Sequence, residues 1–570
     1  MARATSAPDR AEAGDTAAAT GPGPGAERTD LRLVPAAGAV WAVALLAVAR
    51  PAAELAAAGA VCAVLALGLV ASACGCSGAR RGRATGTASI GGARTCDQGW
   101  RAGRGQAVLV LGTVGVLLLT TAVQVRAREA GGLRDLAELR ASVRITGVVR
   151  TTPMPVGGPS DDGGERGDGG GRAPPGRVRL LLAVTEVAVG AGRPGRDGPP
   201  GDHTVRTRAA VELVAPGPAA GLRYGTVVTV PVRLAPARHA ADRAVARAHA
   251  TAAPQAGGGP PGLLVVTERL RAGLGELSAG LPGDAGRLLP AVAVGDTRGV
   301  GDLEQAMRDS GLAHLTAVSG AHFSLLGALV LGIAARLRIP RCWRWVPTAV
   351  VMAGFVALVH PGASVVRAAV MGGVGLLGLA VGRPSRTVPA LACAVVVLLV
   401  VDPWLGRDLG FVLSVVATAG IAVLAGPIAR RWQDAGARGG RRGPPAWWVL
   451  ACAVPVAAQA VCAPVVLLLS PQVPVYSVPA NLLAAPAVAP ATVGGLVAAL
   501  LGPWWPGGAA WAAGVAGAAC WWIAGVARTA AGLPGALVTW AGGPVGVLLL
   551  AAASAASVVL VLRCRRRVAP

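Results

Sequence analysis

Apolar residues come in long runs along this chain. Such runs lie near 34–49, 55–74, 107–125, 312–335, 345–360, 364–381, 387–401, 409–429, 446–469, 478–501, 508–527 and 541–562. Several approach the roughly 20 residues that a helix needs to cross a hydrocarbon core of about 30 Å. A helix satisfies its own backbone hydrogen bonds there, so the runs are expected to be helical. Residues 126–310 differ in character. Ser142–Arg150, Arg177–Val189, Val205–Val214 and Thr226–Leu234 are rich in Val and Leu with partial alternation, the period of strands. The Gly/Pro/Asp-rich stretches 153–176 and 190–203 between them read as long loops. The expected fold class is a polytopic α-helical membrane protein, about 12 transmembrane helices with an inserted extracytoplasmic small β-domain, OB-like.

The pattern divides the chain into a cytoplasmic leader of disordered character (1–33), three N-terminal transmembrane helices with an Arg-rich loop (34–125) and the β-domain (126–262). Amphipathic surface helices (263–311), a transmembrane domain (312–562) and a basic tail (563–570) follow. In 263–290, Leu264, Leu270, Leu274, Leu277 and Leu281 alternate with Arg and Glu, as in a helix lying along a membrane surface. A short helix follows, with Asp302 as its expected N-cap, Gln305 placed for a capping box and Gly311 placed to end it.

Charge sets the expected orientation. Net charge is +24, yet there is no lysine and asparagine occurs once, at Asn481. Arginine abundance in such a composition fits a GC-rich genome, so position carries more than number. Arg80, Arg81, Arg83, Arg94, Arg101 and Arg104 fill the loop after the second run; Arg336, Arg338, Arg341 and Arg344, then Arg383 and Arg386, then Arg430, Arg431, Arg438, Arg441 and Arg442, and finally Arg563 to Arg567 mark later ones. One assignment places all five clusters, and both termini, in the cytoplasm. No cleavable signal peptide is evident. Cysteines Cys62, Cys393, Cys452, Cys462 and Cys520 lie in apolar runs, Cys74-Gly-Cys76 ends one, and the insert has none, so neither a disulfide framework nor a metal pattern emerges.

Polar groups inside apolar runs are the candidate chemistry, because they are costly in a membrane and face a cavity, a partner or a pathway. Gly311 to His322 puts His314, Thr316, Ser319 and His322 at the outer end of one run. An alternative stays open here: Thr316 and Ser319 bonded to their own backbone, with the histidines at headgroup level. Arg367 lies about one turn inside another run, where it either snorkels outward or meets a phosphate or carboxylate. Asp402-Pro403 and Asp408-Leu409-Gly410-Phe411 with Ser414 flank an external turn, where solvated carboxylates are the plain alternative. Asn481 precedes Pro486 and Pro490, a pattern that suggests a broken helix beside a pathway.

Taken together these stretches resemble the ComEC family of competence proteins, inner-membrane channels for DNA uptake. The family's G-L-x-H-L-x-A-V-S-G-x-H stretch is matched from Gly311 to His322, after an L-L-P-x-x-x-x-G-D element at Leu288–Pro290 and Gly295-Asp296. Its P-S-x-x-R-A-x-x-M element resembles Ala363–Met371, its D-P…D-x-G-F-x-L-S element Asp402–Ser414, and its N-x-x-x-x-P element Asn481 with Pro486. The ordered set, across roughly 285–500, is what is specific. Ala363 stands in place of Pro, Val412 where Gln is frequent, and Ala321 where Leu is frequent. Many family members continue into a metallo-β-lactamase-like domain. None of His203, His239, His249, His314, His322 and His360 falls in an H-x-H-x-D-H motif, so no metal-nuclease site is expected here.

The resemblance implies a competence-type transmembrane channel domain that passes single-stranded DNA into the cytoplasm during transformation. It makes His314, Ser319, His322, Arg367, Asp402, Asp408, Ser414 and Asn481 the candidate lining of the DNA pathway. No enzyme activity, cofactor or metal is expected. The implied partners are single-stranded DNA, the lipid bilayer, a DNA receptor outside and an ATP-driven motor inside, since the chain has no G-x-x-x-x-G-K-[ST] loop. A separate nuclease and a homo-oligomeric assembly are left open. Three rivals stand beside this reading. An intramembrane serine hydrolase would use Ser319 with His314 or His322, but Ala317 replaces a motif glycine and Ser319 and His322 are expected to point apart. A small-solute permease lacks support from any visible inverted repeat. A non-functional truncated copy is the third.

Overall fold

The computed structural model describes residues 31–79, 93–156, 176–189, 203–239, 242–259, 262–381, 387–438 and 445–563. The leader, the two long loops of the insert, the basic tail and much of the Arg-rich loops lie outside the described residues, as do the side chains of Cys74 and Cys76. The N-terminal helices are α1 (Val34–Ala47), α2 (Ala52–Ala79) and α3 (Ala93–Glu129), followed by the short α4 (Leu133–Glu138). The insert comprises β1 (Ser142–Val149), β2 (Met154–Pro155), β3 (Arg177–Val189), β4 (His203–Arg206), β5 (Ala210–Pro216), β6 (Val227–Pro236), β7 (Ala246–Ala250) and β8 (Gln255–Gly258). Then come α5 (Gly262–Ala279), α6 (Asp284–Val294), α7 (Leu303–Asp309), α8 (Gly320–Arg336), α9 (Trp345–Val359), α10 (Ala363–Ala380), α11 (Thr387–Val401) and α12 (Leu409–Gly420). A π-helical turn, Ile421–Ala425, joins α12 to α13 (Gly426–Arg438). The chain closes with α14 (Ala446–Val466), β9 (Gln472–Pro474), α15 (Ser477–Leu501), α16 (Pro506–Gly532), β10 (Leu537–Thr539) and α17 (Gly543–Arg563).

Eight helical segments among the described residues are long and apolar enough to cross a membrane. Four further apolar helices are shorter: Val34–Ala47, Gly320–Arg336, Ser364–Ala380 and Thr387–Val401. All twelve apolar runs of the sequence thus fall on helices, eight of them of spanning length. Where α15 and α16 pack, the contact is built from Ala and Gly. A Cβ on Gly494 would lie 3.1 Å from that of Ala516, and one on Gly495 would lie 2.6 Å from that of Ala293 in α6. Small residues let backbones approach closely where no hydrophobic effect drives helices together.

The insert is a closed barrel. β1 pairs with β3, β3 with β5, β5 with β7, β7 with β6, and β6 returns to β1. All these pairings are antiparallel except β5 with β7. That is the strand order expected of an OB-like domain. Alternation drives it: β3 buries every second residue from Val178 to Val184, and these meet Ile145, Leu213, Val230 and Leu234 in one core. Gly147 sits at a bulge in β1, where a Cβ would come 2.6 Å from the carbonyl of Ala183.

Four local expectations change. α5 does not turn its apolar stripe to a membrane surface; Leu274 is fully buried and Leu270, Leu277 and Leu281 pack on the core built by α6, α15 and α16. Asp302 precedes α7 but makes no side-chain cap, because its carboxylate is drawn to Arg287 at 2.7 Å and Arg528 at 3.0 Å. Gly311 does end α7, at φ +74. The run from 312 is not helical throughout: a single 3-10 turn, Ala313–Leu315, and an irregular stretch precede α8. Finally, α15 is continuous through Pro486 and Pro490, so the broken backbone lies before α8 and not at Asn481.

Candidate functional site

The sequence-predicted residues lie in four places. The first is the carbonyl of Gly311. It accepts from the imidazole Nδ1 of His314 at 3.2 Å and from Nδ2 of Asn481 at 3.4 Å, while Asn481 also donates to the carbonyl of Ser477 at 2.8 Å. The bend after α7 is thereby tied to the first turn of α15. The approach is close: a Cβ on Gly311 would stand 2.5 Å from that of Ser477.

The second is the start of α8. Ser319 is its N-cap, with extended backbone, and His322 closes a capping box: the Ser319 amide donates to Nδ1 of His322 at 3.0 Å. Ser319 Oγ lies 3.1 Å from the same nitrogen, so the two side chains meet rather than point apart. The reason is the cap itself. Ser319 stands outside the helix, and an N3 side chain folds back over the N-cap. His322 is 2 % exposed, and its Nε2 has no hydrogen-bond partner.

The third is a polar seam between α10 and α12. Arg367 is 3 % exposed and donates from Nη1 to Thr418 Oγ1 at 3.0 Å and to Met371 Sδ at 3.4 Å. Thr418 also donates to the carbonyl of Ser414 at 2.8 Å, and Ser414 Oγ lies 3.4 Å from Ser364 Oγ. Arg367 does not snorkel to the surface. Among the described residues it has no carboxylate within ion-pair distance, and its Nε makes no hydrogen bond.

Asp402 and Asp408 stay at the outer corner between α11 and α12 and act on backbone. Asp402 accepts from the amide of Trp404 at 3.2 Å, and Asp408 from that of Phe411 at 2.9 Å. Asp402 has a second partner that sequence could not supply: Arg243 in the β6–β7 loop, 2.7 Å away. Beside it Arg128 of α3 donates to the carbonyls of Asp242 and Arg243 and lies 4.0 Å over the Trp404 ring. This corner docks the barrel on the helices.

A second docking point leads to groups not singled out from sequence. Tyr224, in the loop before β6, stacks on His360 at the α9–α10 corner. Behind His360, Glu268 Oε1 lies 3.0 Å from its Nε2, close enough for charge pairing but without hydrogen-bond geometry. Arg271, one turn on in α5, donates to the last carbonyls of two helices, Val294 of α6 at 2.6 Å and Leu358 of α9 at 3.0 Å. It also faces Glu268 at 3.7 Å and Asp296 at 3.9 Å, and Asp296 holds Arg298 at 2.6 Å. Burial pulls the Arg271 guanidinium below its usual value. Burial works to raise Glu268 and Asp296, but the charges around them win, and both carboxyls sit below their usual range. Glu268 and Arg271 look like the solvent face of an amphipathic helix. Their spacing of three is the one signal that they share a side.

Residues 293–565 match the family model described as Competence protein. ComE operon protein 3 of Bacillus subtilis (strain 168) is 35 % identical over 135 residues, which are 24 % of this chain and 17 % of that protein. The aligned part therefore spans less than a fifth of that relative. No solved structure matches the chain. The matched domain runs from the end of α6 through α17. It contains the Gly311 bend, the capped start of α8 and the α10–α12 seam, so all three lie in the Competence protein domain of this multi-pass membrane protein.

Proposed function

We propose that the chain forms a path through the cell membrane by which single-stranded DNA enters the cytoplasm during natural transformation. The observation that carries this reading is the seam: a cation and three hydroxyls, Arg367 with Ser364, Ser414 and Thr418, inside an otherwise apolar bundle. A polyanion cannot cross lipid and needs polar groups and positive charge along its way. In this reading the barrel is extracytoplasmic, both termini and the Arg-rich loops are cytoplasmic, and the seam opens outward beneath the barrel. Driving force comes from a cytoplasmic ATP-driven motor and delivery from an external DNA receptor. The chain itself acts as a conduit and not as an enzyme.

A second reading has one observation in its favour. Ser319 Oγ lies 3.1 Å from His322 Nδ1, within reach for a serine nucleophile and its base. That nitrogen already accepts the Ser319 amide, however, and among the described residues the other ring nitrogen meets no carboxylate that would orient it. The cap is the stronger account of the pair.

The deciding experiment is uptake of labelled DNA into the cytoplasm of a deletion strain complemented with wild type or with His314→Ala/Arg367→Ala. Restoration by wild type and loss in the double variant at equal membrane abundance supports the conduit. Failure of wild type to restore uptake removes it and leaves a non-functional copy as the better account.

A further inference from the structure

We propose that a phosphoryl anion binds between the N-terminus of α8 and the guanidinium of Arg367. The proposal rests on the conduit reading only for the identity of its natural ligand, the phosphodiester of a DNA strand. The site itself follows from electrostatics.

Two positive ends meet here. α8 has 17 residues, and its first-turn amides, those of Gly320 and Ala321 among them, have no carbonyl partner within the helix. Such an end carries roughly half a positive charge. Arg367 points at it: a Cβ on Gly320 would lie 3.7 Å from Arg367 Nη2. A guanidinium that is 3 % exposed, beside a helix N-terminus, is unfavourable unless something negative shares the space.

No carboxylate fills that role among the described residues. At the outer corners the carboxylates are committed elsewhere: Asp402 to Arg243, Asp408 to the amide of Phe411, and Glu268 to Arg271 and His360. What the guanidinium touches is neutral, the Thr418 hydroxyl and the Met371 sulfur, and Thr418 in turn bonds the carbonyl of Ser414, whose hydroxyl faces Ser364. The Nε of Arg367 is left with a free hydrogen. A phosphoryl group matches this set. Its oxygens accept from a guanidinium edge, from hydroxyls and from helix N-terminal amides together. Ser364, Ser414 and Gly320 are half-buried, so the site opens toward one end of the seam.

Phosphoryl oxygens in a membrane come from a nucleic acid backbone or from a lipid headgroup. The test separates them. The full chain is placed in nanodiscs of phosphatidylcholine, with and without phosphatidylglycerol. Three probes are titrated: inorganic phosphate, a fluorescent oligothymidylate, and the same oligomer with an uncharged methylphosphonate backbone. Inorganic phosphate is expected to slow hydrogen exchange at the Gly320 and Ala321 amides of the wild type. Arg367→Gln is expected to weaken the phosphodiester oligomer about tenfold and to leave the methylphosphonate oligomer unchanged. Arg367-dependent enrichment of phosphatidylglycerol without Arg367-dependent oligomer binding would keep the phosphoryl site and sink the DNA conduit. Unchanged amide exchange with phosphate in the wild type overturns the site whatever the variant does. So does an Arg367→Gln protein that binds all probes and lipids as the wild type does.

Discussion

Tyr224 of the barrel stacks on His360 of the α9–α10 corner, with ring centroids 4.5 Å apart and planes 19° from parallel. His360 takes φ 70 and ψ 142, a region that suits glycine and strains a residue with a Cβ by about 1–3 kcal/mol. The stack and the Glu268 carboxylate behind it hold the strain in place. His360→Gly and His360→Ala both lose the stack, but only glycine relieves the backbone. The alanine variant is therefore expected to melt earlier than the glycine variant, by about 1 kcal/mol in detergent. Equal melting of the two would show that the corner is not strained.

Arg271 joins the ends of α6 and α9 and neutralises two buried carboxylates. Arg271→Ala strips Glu268 and Asp296 of a shared cation and frees the two helix-end carbonyls, and an expected loss of about 3–5 kcal/mol follows. Adding Glu268→Gln removes one of the stranded charges. The double variant is expected to be more stable than the sum of its parts by at least about 1 kcal/mol, read from a double-mutant cycle of denaturant unfolding. Strict additivity would mean that Arg271 acts through its two carbonyl contacts alone.

The helices and the barrel were legible because each obeys one period. A strand such as β3 alternates, and the membrane helices are apolar for most of their length. The irregular stretch before α8 was not, because Leu312, Ala313, Leu315, Ala317 and Val318 read equally well as helix. The Ser319-Gly320 pair, a cap followed by a helix start, was the signal for it. Pairings across the fold were invisible for a plainer reason. Arg367 meets Thr418 at a separation of 51 residues, and Arg243 meets Asp402 from another domain. Nothing local distinguishes such an arginine from a snorkelling or solvated one. Glu268 and Arg271 escaped notice for the same reason: helical spacing shows that they share a face, but not what that face meets.

Acid should loosen the contact of α5 with the end of α6. Burial of Asp296 disfavours its charge, but Arg298 and Arg271 outweigh burial and hold its carboxyl below the ordinary 3.8. A carboxyl depressed in the folded state stabilises the fold above its unfolded value, and that contribution fades as pH falls through the folded value. Asp296→Asn is therefore expected to lower the melting temperature at neutral pH. The gap from wild type should close below pH 3.8. A gap that persists in acid would assign the effect to packing and not to charge.

Gly311 has two reasons to be glycine, and they can be separated. Its φ of +74 disfavours any Cβ, and a Cβ there would meet that of Ser477 at 2.5 Å. Gly311→Ala is expected to destabilise by about 2–4 kcal/mol, combining backbone strain with overpacking. Ser477→Gly on the same background should return the overpacking share and leave the strain, so recovery should be partial in thermal unfolding. Full recovery would mean that backbone strain contributes little at the bend.

Ser319 separates the two readings of the α8 start. As an N-cap, its loss to alanine removes the side-chain part of the box and costs about 1 kcal/mol, while Ser319→Asp or Ser319→Asn, both good caps, should restore stability. As a nucleophile, it would react with a fluorophosphonate probe, and alanine, aspartate or asparagine in its place would abolish turnover. His322 sharpens the distinction. Its Nδ1 accepts the Ser319 amide at 3.0 Å, so the nitrogen a serine nucleophile would need as base is already engaged by the backbone. The expected results are no labelling of purified protein by the fluorophosphonate, and DNA uptake in cells that follows stability for the neutral variants, with asparagine close to wild type and alanine below it, whereas aspartate restores stability but lowers uptake because its carboxylate fills the anion site at the start of α8. Labelling that is lost in Ser319→Ala, together with an inactive asparagine variant of normal stability, would make this helix start an active site and the cap a by-product of its geometry.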